Sequence, residues 1–151
     1  MRLTIHQAVK SRVPRRRFEQ LMRTARRYHH SPKPLLSELS LVLVGERTIR
    51  KLNRFYRGED KPTDVLSFDY GEIIICYPVA MRQAKEHGLK IVDELSLLFV
   101  HGLLHIMGFE HKTLKERKAM RLAEEKLLDY QGLVDRTSIK KNVQYQSSND
   151  Q

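Results

Sequence analysis

The sequence predicts an α+β fold: a small mixed β-sheet packed with several helices, among them a long central helix that carries two histidines four residues apart. Three observations predict it. Short apolar, β-branched runs are interspersed with longer segments whose apolar residues recur at helical spacing. The chain has 151 residues, the size of one domain. With 40% hydrophobic residues, it can fill one core.

The N-terminal half is predicted to hold two helices and a strand. Pro14 opens a helix over residues 15–28, in which apolar residues at helical spacing alternate with arginines. The apolar run at residues 40–44 predicts a buried strand. Residues 46–56 predict a second helix, and glycine, proline and charges predict a loop at residues 57–62.

The C-terminal half is predicted to hold two strands, at residues 65–68 and 72–77, and three helices, at residues 78–87, 91–107 and 114–130. Pro78 suits a first helical turn, and Gly88 suits the end of that helix. Thr113 and Glu116 have the spacing of a capping box. Residues 133–151 are so polar that we expect a mobile tail behind a single domain, residues 1–132.

The net charge of +10 is unevenly distributed along the chain. Residues 1–61 hold 16 Lys and Arg against 5 Asp and Glu, whereas residues 62–132 hold 9 against 11. A one-sided basic excess attracts polyanions such as nucleic acid, because phosphate contacts release condensed counterions. A solvated basic face that aids solubility would leave the same pattern.

Several classes of protein are disfavoured by what the sequence lacks. No stretch approaches the roughly 20 apolar residues that cross a bilayer. Residues 1–10 lack the apolar core of a secretory signal. The single cysteine, Cys76, cannot form an internal disulfide and is expected to pack as a small apolar group. We therefore expect a cytoplasmic protein without membrane partners.

The segment from His101 to His111 carries the strongest chemical signal. Residues four apart on a helix share a face, so His101 and His105 can aim two imidazoles at one point. Gly108 suits the helix end and would let the chain reverse, bringing His111 to the same point. Three imidazoles with an open fourth position are typical of a catalytic zinc site. Nickel, copper and iron also accept such ligands.

The histidine spacing is that of the metzincin metalloproteases, but one residue departs from it. Those enzymes have a glutamate after the first histidine, which acts as the general base of peptide hydrolysis. Here that position is Gly102. A glycine inside a helix costs about 1 kcal/mol relative to alanine, which suggests that a neighbouring backbone or a substrate approaches closely. Glu110 is either a residue that orients His111 or a plain surface acid.

The other histidines and the charged loop offer weaker signals. His6, His29 and His30 are expected at the surface, and His87 at a helix end. Arg57, before Gly58, could hold a phosphate with two hydrogen bonds from its guanidinium. Alternatively, Arg57 pairs with the neighbouring acids, Glu59 and Asp60.

Taken together, these segments resemble the YbeY-type rRNA maturation factors, a family of metal-dependent bacterial endoribonucleases. The resemblance covers roughly residues 35–130 and rests on residues 52–68, 71–75 and 93–111. The family usually has aspartate where this chain has Glu72 and Glu110, changes that keep the charge and lengthen the side chain.

The resemblance implies an activity and its residues. The family's zinc-binding histidines correspond to His101, His105 and His111, and its loop arginine corresponds to Arg57. We expect a zinc-dependent endoribonuclease that cuts single-stranded RNA during rRNA maturation and ribosome assembly or quality control, with one Zn²⁺ per chain and with RNA and the ribosome or its proteins as partners. Either water or the ribose 2′-hydroxyl would attack the phosphate.

Two other functions fit the sequence less well. A ribosome-binding assembly factor could use the metal only to brace its fold. A zinc peptidase or amide hydrolase is favoured by the histidine spacing, but Gly102 and the uneven charge oppose it.

Overall fold

The computed structural model describes residues 1–129, and it confirms the predicted α+β fold class. In chain order the described residues form β1 (Arg2–Gln7), α1 (Arg15–Arg26), β2 (Glu38–Val44), α2 (Glu46–Arg57), β3 (Val65–Phe68), β4 (Glu72–Cys76), α3 (Tyr77–His87), α4 (Ile91–Ile106) and α5 (Leu114–Asp129). The predicted elements are all present, with ends that differ from the prediction by no more than two residues. Strand β1 was not predicted. The division into a domain and a mobile tail stays a prediction, and the tail lies outside the described residues.

The four strands form one mixed sheet in the order β1-β2-β4-β3. Strands β1, β2 and β4 are parallel, and β3 runs antiparallel to β4. The β3–β4 hairpin turns through Gly71, whose φ of +104° favours glycine. Strand β3 is therefore an edge strand, with β4 as its one neighbour in the sheet.

Helices cover both faces of this sheet. The larger core lies on the face covered by α1, α4 and α5, where Phe18 and Phe99 pack with ring centroids 4.7 Å apart. A smaller apolar cluster lies on the other face beneath α2, around Ile49 and Ile74. Successive strand residues point to opposite faces, which is why Ile73 and Ile75 belong to the first core while Ile74 belongs to the second cluster.

Helix α4 crosses the sheet at the centre of the larger core. Nearly all of its residues from Glu94 to Ile106 are buried. A Cβ atom on Gly102 would lie 3.0 to 3.1 Å from three carbons of Ile73, closer than ordinary contact. The close approach expected at Gly102 is thus made by a side chain of β4. Within residues 1–129, no helix is long and apolar enough to span a membrane.

We expect Gly102→Ala to destabilise the protein by about 1 kcal/mol. Crowding a packed core typically costs 1–3 kcal/mol, and the better helix propensity of alanine returns about 1 kcal/mol of that. Urea denaturation followed by circular dichroism would measure the change. The same substitution in an Ile73→Val background should cost less, because valine lacks the Cδ1 atom that lies 3.1 Å away. Equal costs in both backgrounds would contradict this account.

Candidate functional site

The three predicted histidines line one cleft of about 1000 Å³. Its walls come from the α2–β3 loop, β3, α3, α4 and the segment that follows α4. Arg57 lines the same cleft, so the four residues singled out in the sequence share one cavity although 54 positions separate the first from the last.

His101 and His105 project from the last turns of α4. Their ring centroids are 4.5 Å apart, and their Nε2 atoms are 3.0 Å apart, a hydrogen-bond distance. The i,i+4 spacing therefore does what the sequence predicted and turns two imidazole nitrogens toward one point.

His111 reaches the same place from outside the helix. Gly108 has a φ of +87° and donates its backbone N–H to the carbonyl of His105, which ends α4 and reverses the chain. The His111 ring centroid lies 5.2 Å from that of His105 and 6.5 Å from that of His101. The backbone geometry predicted from Gly108 is confirmed.

The start of α5 fixes the segment that carries His111. The Thr113 hydroxyl accepts the backbone N–H of Glu116 at 3.1 Å, and the Glu116 carboxylate accepts that of Thr113, also at 3.1 Å. The same carboxylate accepts the N–H of Lys112 at 3.0 Å. The predicted capping box thus forms, and it also ties down the residue next to His111.

His105 is held in its neutral form. Burial lowers its pKa to about 3, and the neighbouring His101, His111 and Arg57 add to this shift, while a hydrogen bond with the Phe109 backbone opposes it. A neutral imidazole keeps a nitrogen lone pair for a ligand, whereas an imidazolium does not.

Glu124 on α5 lies behind His101, a contact that no pattern in the sequence indicated. Its carboxylate Oε1 lies 3.4 Å from His101 Nδ1, and the residue is 8% exposed. A carboxylate at Nδ1 favours the tautomer in which that nitrogen carries the proton and Nε2 carries the lone pair. Glu110, the orienter considered from the sequence, is instead exposed and lies 3.7 Å from the Lys112 ammonium.

The donor set suits a transition metal such as zinc by its chemistry. It offers three imidazoles, one of them held neutral and another backed by a carboxylate. Among residues 1–129, no group of three or more His, Cys, Asp or Glu side chains has the geometry of a metal site. The 3.0 Å between the two Nε2 atoms is a hydrogen-bond distance, whereas two nitrogens around tetrahedral zinc lie about 3.3 Å apart. For this pair of nitrogens, the two distances differ by a few tenths of an ångström.

Arg57 is the last residue of α2, where Gly58 takes a left-handed φ of +71° and ends the helix. The loop behind it is fastened by Asn53, which is fully buried and donates from Nδ2 to the Lys61 carbonyl at 2.8 Å. The alternative partners of Arg57 are occupied by other cations. Asp60 pairs with Arg50 at 2.9 Å, and Glu59 lies 3.7 Å from Lys61.

The remaining histidines divide as predicted, with one addition. His6, His29 and His30 are exposed. His87 is the last residue of α3, as expected, but it is also half-buried and lines the cleft. Its Nδ1 lies 2.9 Å from Oε2 of Glu94, which is 2% exposed. Burial raises the pKa of Glu94, with smaller contributions from Asp64 and Glu86, while His87 opposes the shift.

Comparison with known proteins places the chain among one group of relatives. The profile of the Endoribonuclease YbeY family matches residues 4–132. The chain is 42% identical over 118 residues to a protein of Heliobacterium modesticaldum described as Endoribonuclease YbeY, an alignment that covers 64% of this chain and 71% of the relative. It is 38% identical over 135 residues to a protein of the same description from Geobacillus sp., covering 77% and 85% of the two chains.

A solved structure resembles the fold as well. The solution structure of a protein from Thermotoga maritima matches with a TM-score of 0.59 and 25% identity, over 85% of this chain and 91% of that one.

We expect the pH dependence of stability to reveal the buried carboxyl of Glu94. Because its pKa is raised on folding, the native state binds this proton more tightly than the unfolded chain does, and stability is lost as the pH rises above the unfolded value of about 4.3. The free energy of unfolding of the wild type should therefore fall relative to Glu94→Gln between pH 4 and pH 8, by at most about 1.4 kcal/mol per pH unit. Urea denaturation at each pH measures this difference, and parallel curves for the two proteins would contradict the assignment.

Proposed function

The chain belongs to the Endoribonuclease YbeY family, as its motifs predicted, and we propose that it is a cytoplasmic enzyme that cuts single-stranded regions of ribosomal RNA with a zinc ion held by His101, His105 and His111. Family membership makes the chain an endoribonuclease with RNA as its substrate class. The metal, the three ligands, the ribosomal target and a role in ribosome assembly are our proposal. The observation that carries it is the convergence of three imidazoles beside Arg57 in one cleft.

The three histidines would hold the ion through their ring nitrogens. The low pKa of His105 supports this, because no proton has to be displaced from that ring at neutral pH. Glu124 would keep His101 in the tautomer that offers its Nε2 lone pair. When bound, zinc would lower the pKa of a coordinated water and polarise a phosphoryl oxygen.

Arg57 would bind the phosphate that is cut. A guanidinium can donate two parallel hydrogen bonds to phosphate oxygens, and it would stabilise negative charge that gathers on them during the reaction. Its position at the end of α2, before a loop that Asn53 fastens, holds it at the cleft wall. The basic surface of residues 1–61 would attract the RNA strand to the cleft.

The site does not support a peptidase function. The position of the metzincin general base is Gly102, which has no side chain and is buried against Ile73. The hypothesis of a ribosome-binding assembly factor can be distinguished by experiment from that of a zinc-dependent endoribonuclease. It requires that the metal stabilise the fold and that Arg57 be dispensable for rRNA maturation.

The test of the function is cleavage of ribosomal RNA fragments by the wild type and by His105→Ala. We expect chelation to abolish cutting by the wild type, added zinc to restore it, and the folded variant to remain inactive. Circular dichroism checks that both proteins are folded. Equal cutting by the two proteins would place the activity in a contaminant or another site.

In the same assay, Arg57→Ala should lower kcat by about 100-fold to 1000-fold, the usual cost of losing one charge-stabilising donor. Wild-type rRNA maturation in cells carrying Arg57→Ala, together with melting of the protein on chelation, would favour the assembly-factor function instead.

We further expect Glu124→Gln to weaken zinc binding by about 10-fold to 100-fold, because His101 loses the carboxylate that fixes its tautomer. Competition with a chromophoric chelator measures the affinity. Glu110→Gln is the matched control: it removes a carboxylate next to His111 that is exposed and pairs with Lys112, and it should leave the affinity within about twofold. The same loss in both variants would mean that general charge, not the contact with His101, is responsible.

A further inference from the structure

Four aromatic rings form a continuous row at the edge of the sheet. Phe55 and Tyr56 lie at the end of α2, Phe68 at the end of β3, and Tyr70 in the following turn. Neighbouring ring centroids are 4.9 Å apart for Phe55 and Tyr56, 4.8 Å for Tyr56 and Phe68, and 5.5 Å for Phe68 and Tyr70. We refer to these four residues as the aromatic row.

Most of the aromatic row is open to solvent. Phe55 is 80% exposed, Tyr70 is 69% exposed and Tyr56 is 55% exposed. Phe68 is half-buried and packs against the smaller apolar cluster, so it anchors the row. The Tyr70 hydroxyl donates to Glu72 Oε1 at 3.1 Å, which holds the far end in place. Large apolar rings that are exposed together commonly mark a binding surface.

The aromatic row and the cleft lie on opposite sides of one edge strand. Val65 and Ser67 of β3 line the cleft, whereas Leu66 and Phe68 face the apolar cluster beneath α2. A single strand of RNA that lies along the aromatic row could therefore pass around the exposed edge of β3 into the cleft. Arg57, the last residue of α2 before the α2–β3 loop, also lines the cleft.

The charge is positive at the α2 end of the aromatic row, whereas the acidic residues Asp69 and Glu72 lie at the Tyr70 end. Arg54 and Arg57 flank Phe55 and Tyr56 directly in the sequence, and all four residues are exposed at the end of α2. Two rings flanked by guanidinium groups suit a chain in which flat bases are joined by phosphates. A surface meant for an apolar protein partner would instead be depleted of charge at its centre.

From these contacts we propose that the aromatic row is a stacking platform for unpaired bases of the RNA substrate. Bases would lie against Phe55 and Tyr70, the two most exposed rings, and Arg54 would contact a phosphate between them. Stacking does not distinguish one base from another, so the platform would select unpaired RNA over duplex without demanding a sequence. The proposal rests on the proposed function insofar as RNA is the substrate.

The test compares binding of two labelled single strands of 12 nucleotides, an RNA and an abasic backbone of equal length, by fluorescence anisotropy. Binding is measured with a chelator present, so that the RNA is not cut during the measurement. For Phe55→Ala/Tyr70→Ala we expect about 10-fold to 100-fold weaker binding of the RNA and less than about threefold change for the abasic strand. Phe55→Tyr, which keeps the ring at that position and leaves the Tyr70 hydroxyl in place, should bind like the wild type. Leu122→Ala, which removes an exposed apolar side chain on α5, is the matched control and should not alter binding.

Each outcome bears on the proposal. If the double alanine variant binds RNA as tightly as the wild type, or loses the same factor on both strands, the row is not a base platform. If the variant changes only the oligomeric state in size-exclusion chromatography, the row joins copies of this chain, and the proposal is overturned. Because binding is measured without cleavage, the two proposals can fail separately. If added zinc did not restore cleavage, the binding result for the aromatic row would still hold. If the row did not bind bases, zinc-dependent cleavage could still be observed. In cleavage assays with active enzyme, the loss should fall on KM more than on kcat.

Discussion

The contact between Gly102 and Ile73 determines how deeply α4 lies against the sheet, and the positions of the site's side chains depend on that depth. Gly102 lies between His101 and His105 on α4, a helix that is buried along most of its length. A larger residue would push the helix away from β4 or force Ile73 to move, because packed cores have little slack. The histidines are thus positioned by a residue that has no side chain.

The other half of the site comes from structure that follows α4. Gly108 reverses the chain, the capping box holds the start of α5, and Glu124 reaches back from two turns further along α5 to His101. The first two follow local rules of helix ends, whereas the contact of Glu124 with His101 joins two helices. Their combination brings side chains from two helices and a loop to one point, while Arg57 arrives separately from α2.

Much of this arrangement could be predicted from the sequence, and what could not has a physical reason. The i,i+4 histidines, the helix-ending glycine and the capping box are local patterns, and the structure has all three. Strand β1 was missed because its burial pattern is mostly exposed, so it lacks the apolar run that reveals a central strand. Glu124 and the pair of His87 and Glu94 were missed because they are contacts between elements, which no spacing within one element reveals.

Helix α5 supports two of the three histidines. Its first turn holds the segment that carries His111, and its third turn supplies the partner of His101. Single elements of a domain can open through local fluctuations that cost less than complete unfolding. If α5 opened in this way, the segment that carries His111 would be released and His101 would lose its contact with Glu124 at the same time. The integrity of the site therefore depends on the docking of α5 as well as on the packing of α4 against the sheet.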